Sequence, residues 1–167
     1  MRSTAGGALS NEYHRRVISH HDITLATGAD ANAIALLSRE SIEFGLGWSW
    51  RPQRVRRSID DPQTNVIVAR EAGRLTGFAL MKYADAEAHL LLLAVHAAHR
   101  RRGVGGALLA WLEATLRVAG IGTVHLEARA RNTAGRAFYR AHGFRETALV
   151  PGYYGGVEDS VRMQKRL

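Results

Sequence analysis

An apolar run, a glycine-rich loop and an amphipathic helix follow one another in the middle of the chain, and this order restricts the possible folds most. The run at residues 90–95 suits a buried strand and is far shorter than the ~20 residues of a membrane-spanning helix. Gly103-Val104-Gly105-Gly106 comes next, and apolar residues then recur at helical steps as far as Ala119. A further strand is predicted at residues 123–129. The pattern predicts a strand–helix–strand crossover, which places two parallel strands side by side.

Shorter strands are predicted on both sides of this crossover. Before it, helices are expected at residues 31–40, with Asp30 as N-cap, and from Pro52 to about residue 60. After it, a helix opens at Asn132 and ends at Gly143. The remaining predicted strands cover residues 23–27, 66–69, 75–83, 87–95, 144–150 and 157–166, of which 87–95 is apolar enough to be buried on both faces. The fold class is therefore α/β (α+β), a mixed and mostly antiparallel sheet of about seven strands with a central parallel pair and four helices.

Length and composition fit one domain. The chain has 167 residues, of which 46% are hydrophobic, and it has no cysteine, which excludes disulfides, thiolate metal sites and cysteine nucleophiles. Residues 1–20 show no periodicity and are predicted to be a disordered extension, with residues 21–167 forming a single domain. No secretory signal is visible, so a cytoplasmic location is expected. The histidines lack carboxylate or cysteine partners at ligand spacing, so no metal site is predicted.

The chain is strongly basic, with 23 Lys and Arg against 15 Asp and Glu, a net charge of +8. A genome that favours Arg and Ala codons would explain this charge. An anionic ligand or partner, such as a phosphate-bearing cofactor, would explain it equally well, and the two explanations are compatible.

The glycine loop, defined here as residues 100–106, has the composition of an anion site. Glycines let a ligand approach the backbone, and the free N–H groups and dipole of the following helix favour a phosphate. A plain turn with solvated arginines is the alternative interpretation. Leu108 stands where a dinucleotide fingerprint needs its third glycine, and the lysine of a P-loop is absent. Nucleotide-dependent redox and phosphoryl chemistry are therefore disfavoured.

Residues 93–109 resemble the acyl-CoA signature of the GNAT superfamily, in which Arg100, Gly103 and Gly105 follow a strand that ends in Leu-Ala-Val. Ala97 stands where the family often has Pro. The resemblance implies a splayed central strand pair and acetyl-CoA as co-substrate, with backbone groups on the pantetheine arm and on the pyrophosphate. The cofactor-binding residues that it implies are Leu93, Ala94, Val95, Arg100, Arg101, Arg102, Gly103, Val104, Gly105, Gly106, Asn132 and Tyr139.

Three residues in the second half, Glu127, Asn132 and Tyr139, have both structural and functional interpretations. Asn132 and Tyr139 lie on one helix face, where Asn132 suits an N-cap and Tyr139 a core-edge aromatic. Glu127 could pair with Arg129, or it could be the general base that acyl transfer to an amine requires. The set resembles the bacterial ribosomal-protein N-terminal alanine acetyltransferases, which implies that Glu127 is the base and that Tyr139 protonates the leaving thiolate.

The C-terminal segment extends this resemblance. Tyr153 and Tyr154, expected in the loop between the last two strands, precede a Glu-Asp pair and a Met as in protein N-terminal acetyltransferases. The family implies that they form one wall of the peptide entrance, and Trp50 is predicted to line the other side. Val157 and Ser160 depart from the family pattern, which bears on the substrate and not on the reaction.

The predicted function is transfer of acetyl from acetyl-CoA to the α-amine of a protein N-terminus with an Ala- or Ser-like first residue. The expected partner is a protein or peptide N-terminus, for example that of a ribosomal protein, with no nucleic acid or membrane. Acetylation of a small-molecule amine is the alternative on the same scaffold. A non-catalytic acyl-CoA or nucleic-acid-binding module is a further alternative, but Arg100–Arg102 has no interleaved aromatic residues.

Overall fold

A single sheet with helices on both faces organises residues 21–167, which are the residues that the computed structural model describes. The prediction for residues 1–20 lies outside them. The strands are β1 (Asp22–Leu25), β2 (Thr64–Glu71), β3 (Arg74–Tyr83), β4 (Glu87–Val95), β5 (Thr123–Arg129), β6 (Arg145–Tyr154) and β7 (Glu158–Arg166). The α-helices are α1 (Ala31–Ser41), α2 (Pro52–Asp60), α3 (Val104–Ala119) and α4 (Thr133–Ala141).

The sheet has the order β1-β2-β3-β4-β5-β7-β6, and β4–β5 is its one parallel pair among the described residues. The two strands pair from Glu87↔Thr123 to Leu90↔Leu126, and the ladder ends there although both strands continue. The seven strands, the central parallel pair and the four helices confirm the predicted fold class. The end of the ladder leaves the β5-facing edge of β4 open at residues 91–95.

Two apolar cores pack on opposite faces of the sheet. Alternate residues of β3 face opposite ways, so Ala79 and Met81 join the core under α3, while Phe78 and Leu80 join the core under α1 and α2. The prediction that β4 is buried on both faces is wrong in part. Its residues alternate between buried and half-buried from Ala88 to Val95, and the last three of them border an open groove.

Asp30 occupies the predicted N-cap position of α1, but its side chain does not cap the helix. Its carboxylate accepts the Thr27 N–H at 2.9 Å and lies 2.5 Å from Arg70 Nη2, and it makes no cap hydrogen bond to α1. A short 3₁₀ turn at Gly28–Asp30 precedes the helix and uses this carboxylate instead. Among the described residues, no helix is both long enough and apolar enough to cross a membrane.

The final hairpin is longer than predicted. β6 continues through Tyr154, which pairs with Glu158, so Tyr153 and Tyr154 lie in the strand and not in the connecting loop. The turn is confined to residues 155–157, because Gly155 and Gly156 adopt φ of +61° and +74°, a conformation that glycine accepts without steric cost.

Candidate active site

The glycine loop ends in a strained turn that exposes the start of α3. Arg101 has φ +60°, and Gly103, at the N-cap, has φ +83°. No side chain of the described residues caps the helix, so its first N–H groups remain available to a ligand. A Cβ at Gly105 would lie 3.0 Å from the Phe138 ring, so glycine at this position allows α3 and α4 to pack closely.

A groove of about 840 Å³ extends from this loop across the open edge of β4. The groove combines an anion-binding end at the loop with the free backbone edge of residues 91–95 and an apolar wall from Phe138. These features fit the diphosphate and the amide-containing arm of coenzyme A. The predicted cofactor residues that line the groove are Leu93, Ala94, Val95, Arg100, Arg101, Gly103, Val104, Gly105, Gly106, Asn132 and Tyr139.

Arg102, which was also predicted to bind the cofactor, does not line the groove. Its guanidinium lies 3.6 Å from the Glu71 carboxylate, and its Nη1 is 3.2 Å from His99 Nδ1. Arg100 does border the groove, and its Nε donates a hydrogen bond to the Val95 carbonyl at 3.0 Å. The arginines of the loop therefore have different partners, which their adjacency in the sequence does not reveal.

Arg129 was missed as a site residue, although it borders the groove. Its guanidinium binds both carboxylate oxygens of Glu158 and donates to the backbone carbonyls of Ile42 and Phe44. The interpretation that Arg129 pairs with Glu127 is therefore wrong. Glu158 lies on β7, the antiparallel neighbour of β5, and its carboxylate contacts Arg129 across the two strands. The hydrogen bonds of Arg129 therefore join β5, β7 and the segment after α1.

Asn132 is the predicted N-cap of α4. Its Oδ1 accepts the Gly135 N–H at 2.9 Å, and Asn132 also lines the groove, so the capping interpretation is confirmed while a cofactor contact remains compatible. Phe138, Tyr139 and His142 follow on the groove side of the helix, and the Phe138 and Tyr139 rings meet edge to face at 5.2 Å. Burial raises the pKa of Tyr139 well above its ordinary value, so its hydroxyl keeps its proton at neutral pH.

Glu127 lies on the opposite face of β5 from the core under α3. Its Oε2 is 2.5 Å from His89 Nε2, and its Oε1 is 3.3 Å from Arg162 Nε. The hydrogen bond with His89, and then the charges of His89 and Arg162, hold the pKa of Glu127 below its usual range, although burial opposes this. Glu127 borders a second cavity of about 410 Å³ together with His89 and Arg162.

Tyr153 and Tyr154 lie beside Glu127. The Tyr154 hydroxyl donates to the backbone carbonyl of Glu127 at 3.4 Å. Burial and the nearby Glu127 carboxylate raise the pKa of Tyr153, whose ring meets that of Tyr154 at 4.9 Å. Tyr139 lines the groove, whereas Glu127 borders the second cavity.

Trp50 does not join this group. Its side chain is buried in the core under α1 and α2, its backbone N–H binds Glu43, and Arg54 stacks on its ring at 3.8 Å. It borders neither the groove nor the cavity beside Glu127. The sequence Trp48-Ser49-Trp50 does not indicate that the Trp50 side chain is buried in the core.

Sequence reasoning also missed His89 and Arg162 as neighbours of Glu127. Arg162 is the register partner of Glu127 on β7, and His89 lies on β4 one ladder step from Leu90. The strand assignments alone predicted alternation within each strand, but not the order of strands in the sheet. That order decides which side chains meet Glu127.

Comparison with known proteins gives consistent results. Residues 33–144 match the Acetyltransferase (GNAT) family. The chain is similar to the [ribosomal protein bS18]-alanine N-acetyltransferase of Escherichia coli K12, with 37% identity over 94 residues that cover 54% of this chain and 64% of that protein. It is also similar to an uncharacterized N-acetyltransferase of Methanocaldococcus jannaschii, with 36% identity over 59% of this chain and 64% of that protein. The chain thus spans slightly less than two thirds of the length of each of these relatives.

The fold has counterparts among solved structures. The crystal structure of the Escherichia coli ribosomal-protein-S18-alanine N-acetyltransferase superposes with a TM-score of 0.76 at 27% identity, covering 87% of this chain and 93% of that one. These matches agree with the enzyme class and the acetyl donor that the sequence predicts.

Proposed function

Because the chain belongs to the GNAT acetyltransferase family, we propose that it transfers the acetyl group of acetyl-CoA to the α-amine of a protein N-terminus. One observation carries the proposal. Tyr139 lines the groove, the Tyr154 hydroxyl donates to the backbone carbonyl of Glu127, and Glu127 follows the last residue of β5 that pairs with β4. An acyl donor in the groove and an amine beside Glu127 would therefore meet where β4 and β5 separate.

The donor side of the proposed site is the groove. The free N–H groups at the start of α3, with Arg101 beside them, would hold the diphosphate, and the open edge of β4 would pair with the amides of the arm. When bound there, acetyl-CoA supplies an activated acyl group. Tyr139 would donate a proton to the leaving thiolate, a role that the raised pKa of its hydroxyl allows because the proton is retained until it is needed.

The acceptor side is the region around Glu127. An α-amine has a pKa of ~8 against ~10.4 for a lysine side chain, so much more of it is unprotonated near neutral pH. We assign the general-base function, which removes the amine proton, to the group of side chains around Glu127. Tyr153 and Tyr154 form a wall beside it and would favour a small first residue such as Ala or Ser. The name of the Escherichia coli relative, which specifies an alanine of a ribosomal protein, supports an acceptor of this class.

A comparison of acceptors with acetyl-CoA tests the proposal by mass spectrometry. The panel contains a peptide with a free Ala N-terminus, the same peptide blocked at its N-terminus but carrying a lysine, and a series of polyamines and aminoglycosides. We expect acetylation of the free N-terminus alone. Turnover of a small amine with an inert free-N-terminus peptide would contradict the proposed acceptor and favour the small-molecule alternative.

A further inference from the structure

We propose that Glu127 does not act alone, and that His89 takes up the proton of the acceptor amine while Glu127 holds its ring and balances its charge. This inference rests on the proposed function and assigns the proton-accepting atom within it. No sequence pattern pointed to His89. The assignment comes from the contact between His89 and Glu127, which are 38 residues apart in the chain.

Glu127 is poorly disposed to act as a base by itself. Its carboxylate is only 8% exposed, and each of its oxygens already has a cationic or donor partner, His89 Nε2 at 2.5 Å and Arg162 Nε at 3.3 Å. These contacts stabilise the ionised form and so reduce the affinity of the carboxylate for a proton. A carboxylate with this environment is better suited to orient a neighbour than to accept the proton.

His89, in contrast, is placed to accept a proton. Its side chain is 37% exposed and borders the cavity of about 410 Å³ next to Glu127. An ionised Glu127 can only accept a hydrogen bond, so a neutral His89 must carry its proton on Nε2. The lone pair is then on Nδ1, which has no hydrogen-bond partner among the described residues. A carboxylate that fixes the tautomer of a histidine base is a recurring arrangement in enzymes.

The charges around His89 come from several strands. β3 contributes Lys82 and Tyr83, β4 itself contributes Glu87, β5 contributes His125 and Glu127, and β7 contributes Arg162. Glu87 lies 3.0 Å from His125 Nε2, so this second acid faces the other histidine. His89 is therefore the histidine whose charge Glu127 balances.

The proton transfer balances without any further reactant. As the amine attacks the acyl carbon, one N–H bond of the nitrogen breaks and its electron pair stays on nitrogen. The proton moves, directly or through water in the cavity, to Nδ1 of His89, whose lone pair forms the new N–H bond. Glu127 stabilises the resulting imidazolium, which returns its proton to solvent through the cavity. A histidine has an ordinary pKa of ~6.5, closer to neutral pH than that of a carboxylate, and a general base works best near the operating pH.

The first test compares His89→Gln with His125→Gln. Glutamine can keep a donor to Glu127 but cannot accept a proton, and His125 lines the same cavity without contacting Glu127. We expect His89→Gln to lower kcat by roughly 10²-fold or more, with acetyl-CoA affinity unchanged and with loss of the wild-type fall in kcat at acidic pH. His125→Gln should retain the wild-type profile. An unchanged kcat and pH profile in His89→Gln would overturn the proposal and assign the proton to Glu127.

Imidazole rescue separates proton transfer from positioning. In His89→Ala the ring leaves a space that free imidazole can fill, whereas in His89→Gln the side chain fills it. Added imidazole should therefore restore turnover in His89→Ala and not in His89→Gln. Absence of rescue in folded His89→Ala would contradict a proton-accepting role.

The ¹⁵N NMR signals of the histidine rings test the pair without turnover. In the neutral ring of the wild type, the contact with Glu127 should keep the proton on Nε2 of His89. Glu127→Ala should remove that tautomer preference and leave the signals of His125 unchanged. Unchanged ring signals of His89 in Glu127→Ala would overturn the proposal. If the wild-type protein acetylates no amine, the proposed function fails, and this measurement still decides whether the pair exists.

Discussion

At the scale of single residues, the candidate site depends on how burial and partners adjust individual ionisable groups. Glu127 is held ionised by His89 and Arg162, and Tyr139 is held protonated by burial. The ionised Glu127 can balance the charge of a protonated His89, and Tyr139 retains a proton for the leaving thiolate. The Tyr154 hydroxyl donates to the backbone carbonyl of Glu127 at 3.4 Å, which places Tyr154 beside the strand that carries Glu127.

Glu127→Gln should lower kcat by roughly 10²–10⁴, because the amide carries no charge to remove or stabilise a proton. Acetyl-CoA affinity measured by calorimetry should stay near that of the wild type. Glu146→Gln is the matched control, since Glu146 binds Arg136 and Arg140 away from both cavities. Full activity of Glu127→Gln across the pH range would make Glu127 purely structural.

Tyr139→Phe keeps the ring that packs against Phe138 and Phe144 but removes the hydroxyl proton. We expect kcat to fall by roughly 10²-fold or more, with a similar thermal stability. Steady-state kinetics with the acceptor peptide would measure this effect. If Tyr139→Phe turns over at the wild-type rate, the leaving thiolate needs no proton from Tyr139.

At the scale of secondary-structure elements, the junctions that carry the site are formed by local sequence. The glycine loop starts α3 without a side-chain cap, whereas Asn132 caps α4 with its own side chain. The two helix starts would have different roles in the proposed site. An uncapped helix start can bind an anion, and a capped one positions Phe138 and Tyr139 on a regular helix.

Gly103→Val should weaken acetyl-CoA binding by at least tenfold, about 1.4 kcal/mol, because the side chain would stand where the diphosphate approaches. Valine is strained at φ +83°, so the backbone cost needs its own control. Gly73→Val supplies it, since Gly73 has φ +76° in the open β2–β3 turn. Equal loss of stability in both variants, with lost affinity only in Gly103→Val, would support the assignment. Unchanged affinity in folded Gly103→Val would contradict it.

At the scale of the whole molecule, Arg129 and Glu158 join parts of the chain that are far apart in sequence. Their ion pair spans 29 residues, and Arg129 also binds the carbonyls of Ile42 and Phe44 more than 80 residues away. The contact connects the segment after α1 with β5 and β7. It therefore fixes the segment after α1 against β5, the strand that carries Glu127.

The stability of this arrangement should depend on pH. Arg129 holds the pKa of Glu158 below its ordinary value of 4.5. A carboxylate whose pKa is lower in the folded state than in the unfolded state adds to the free energy of unfolding. This contribution is fully present above the unfolded-state pKa and is lost as the pH falls through the folded-state pKa. We expect the Tm to fall as the pH is lowered below about 4.5, and Glu158→Gln to reduce that dependence.

Thermal unfolding followed by circular dichroism at a series of pH values measures this effect. Glu40→Gln is the control, because Glu40 is exposed on α1 and makes no ion pair in the described part of the chain. An identical pH dependence in Glu158→Gln and wild type would show that the ion pair contributes nothing to stability.

Much of the molecule was determined by the sequence alone, because the governing interactions are local. The strand and helix periods, the glycines with positive φ and the Asn132 cap depend on neighbours within about one helical turn, and the predicted fold class and family were confirmed. Only the tertiary structure decided which side chains meet across the sheet. Arg129 pairs with Glu158 and not with Glu127, the Trp50 side chain is buried in a core, and His89 contacts Glu127. Strand order and register bring these residues together, and their spacing along the chain does not indicate the contacts.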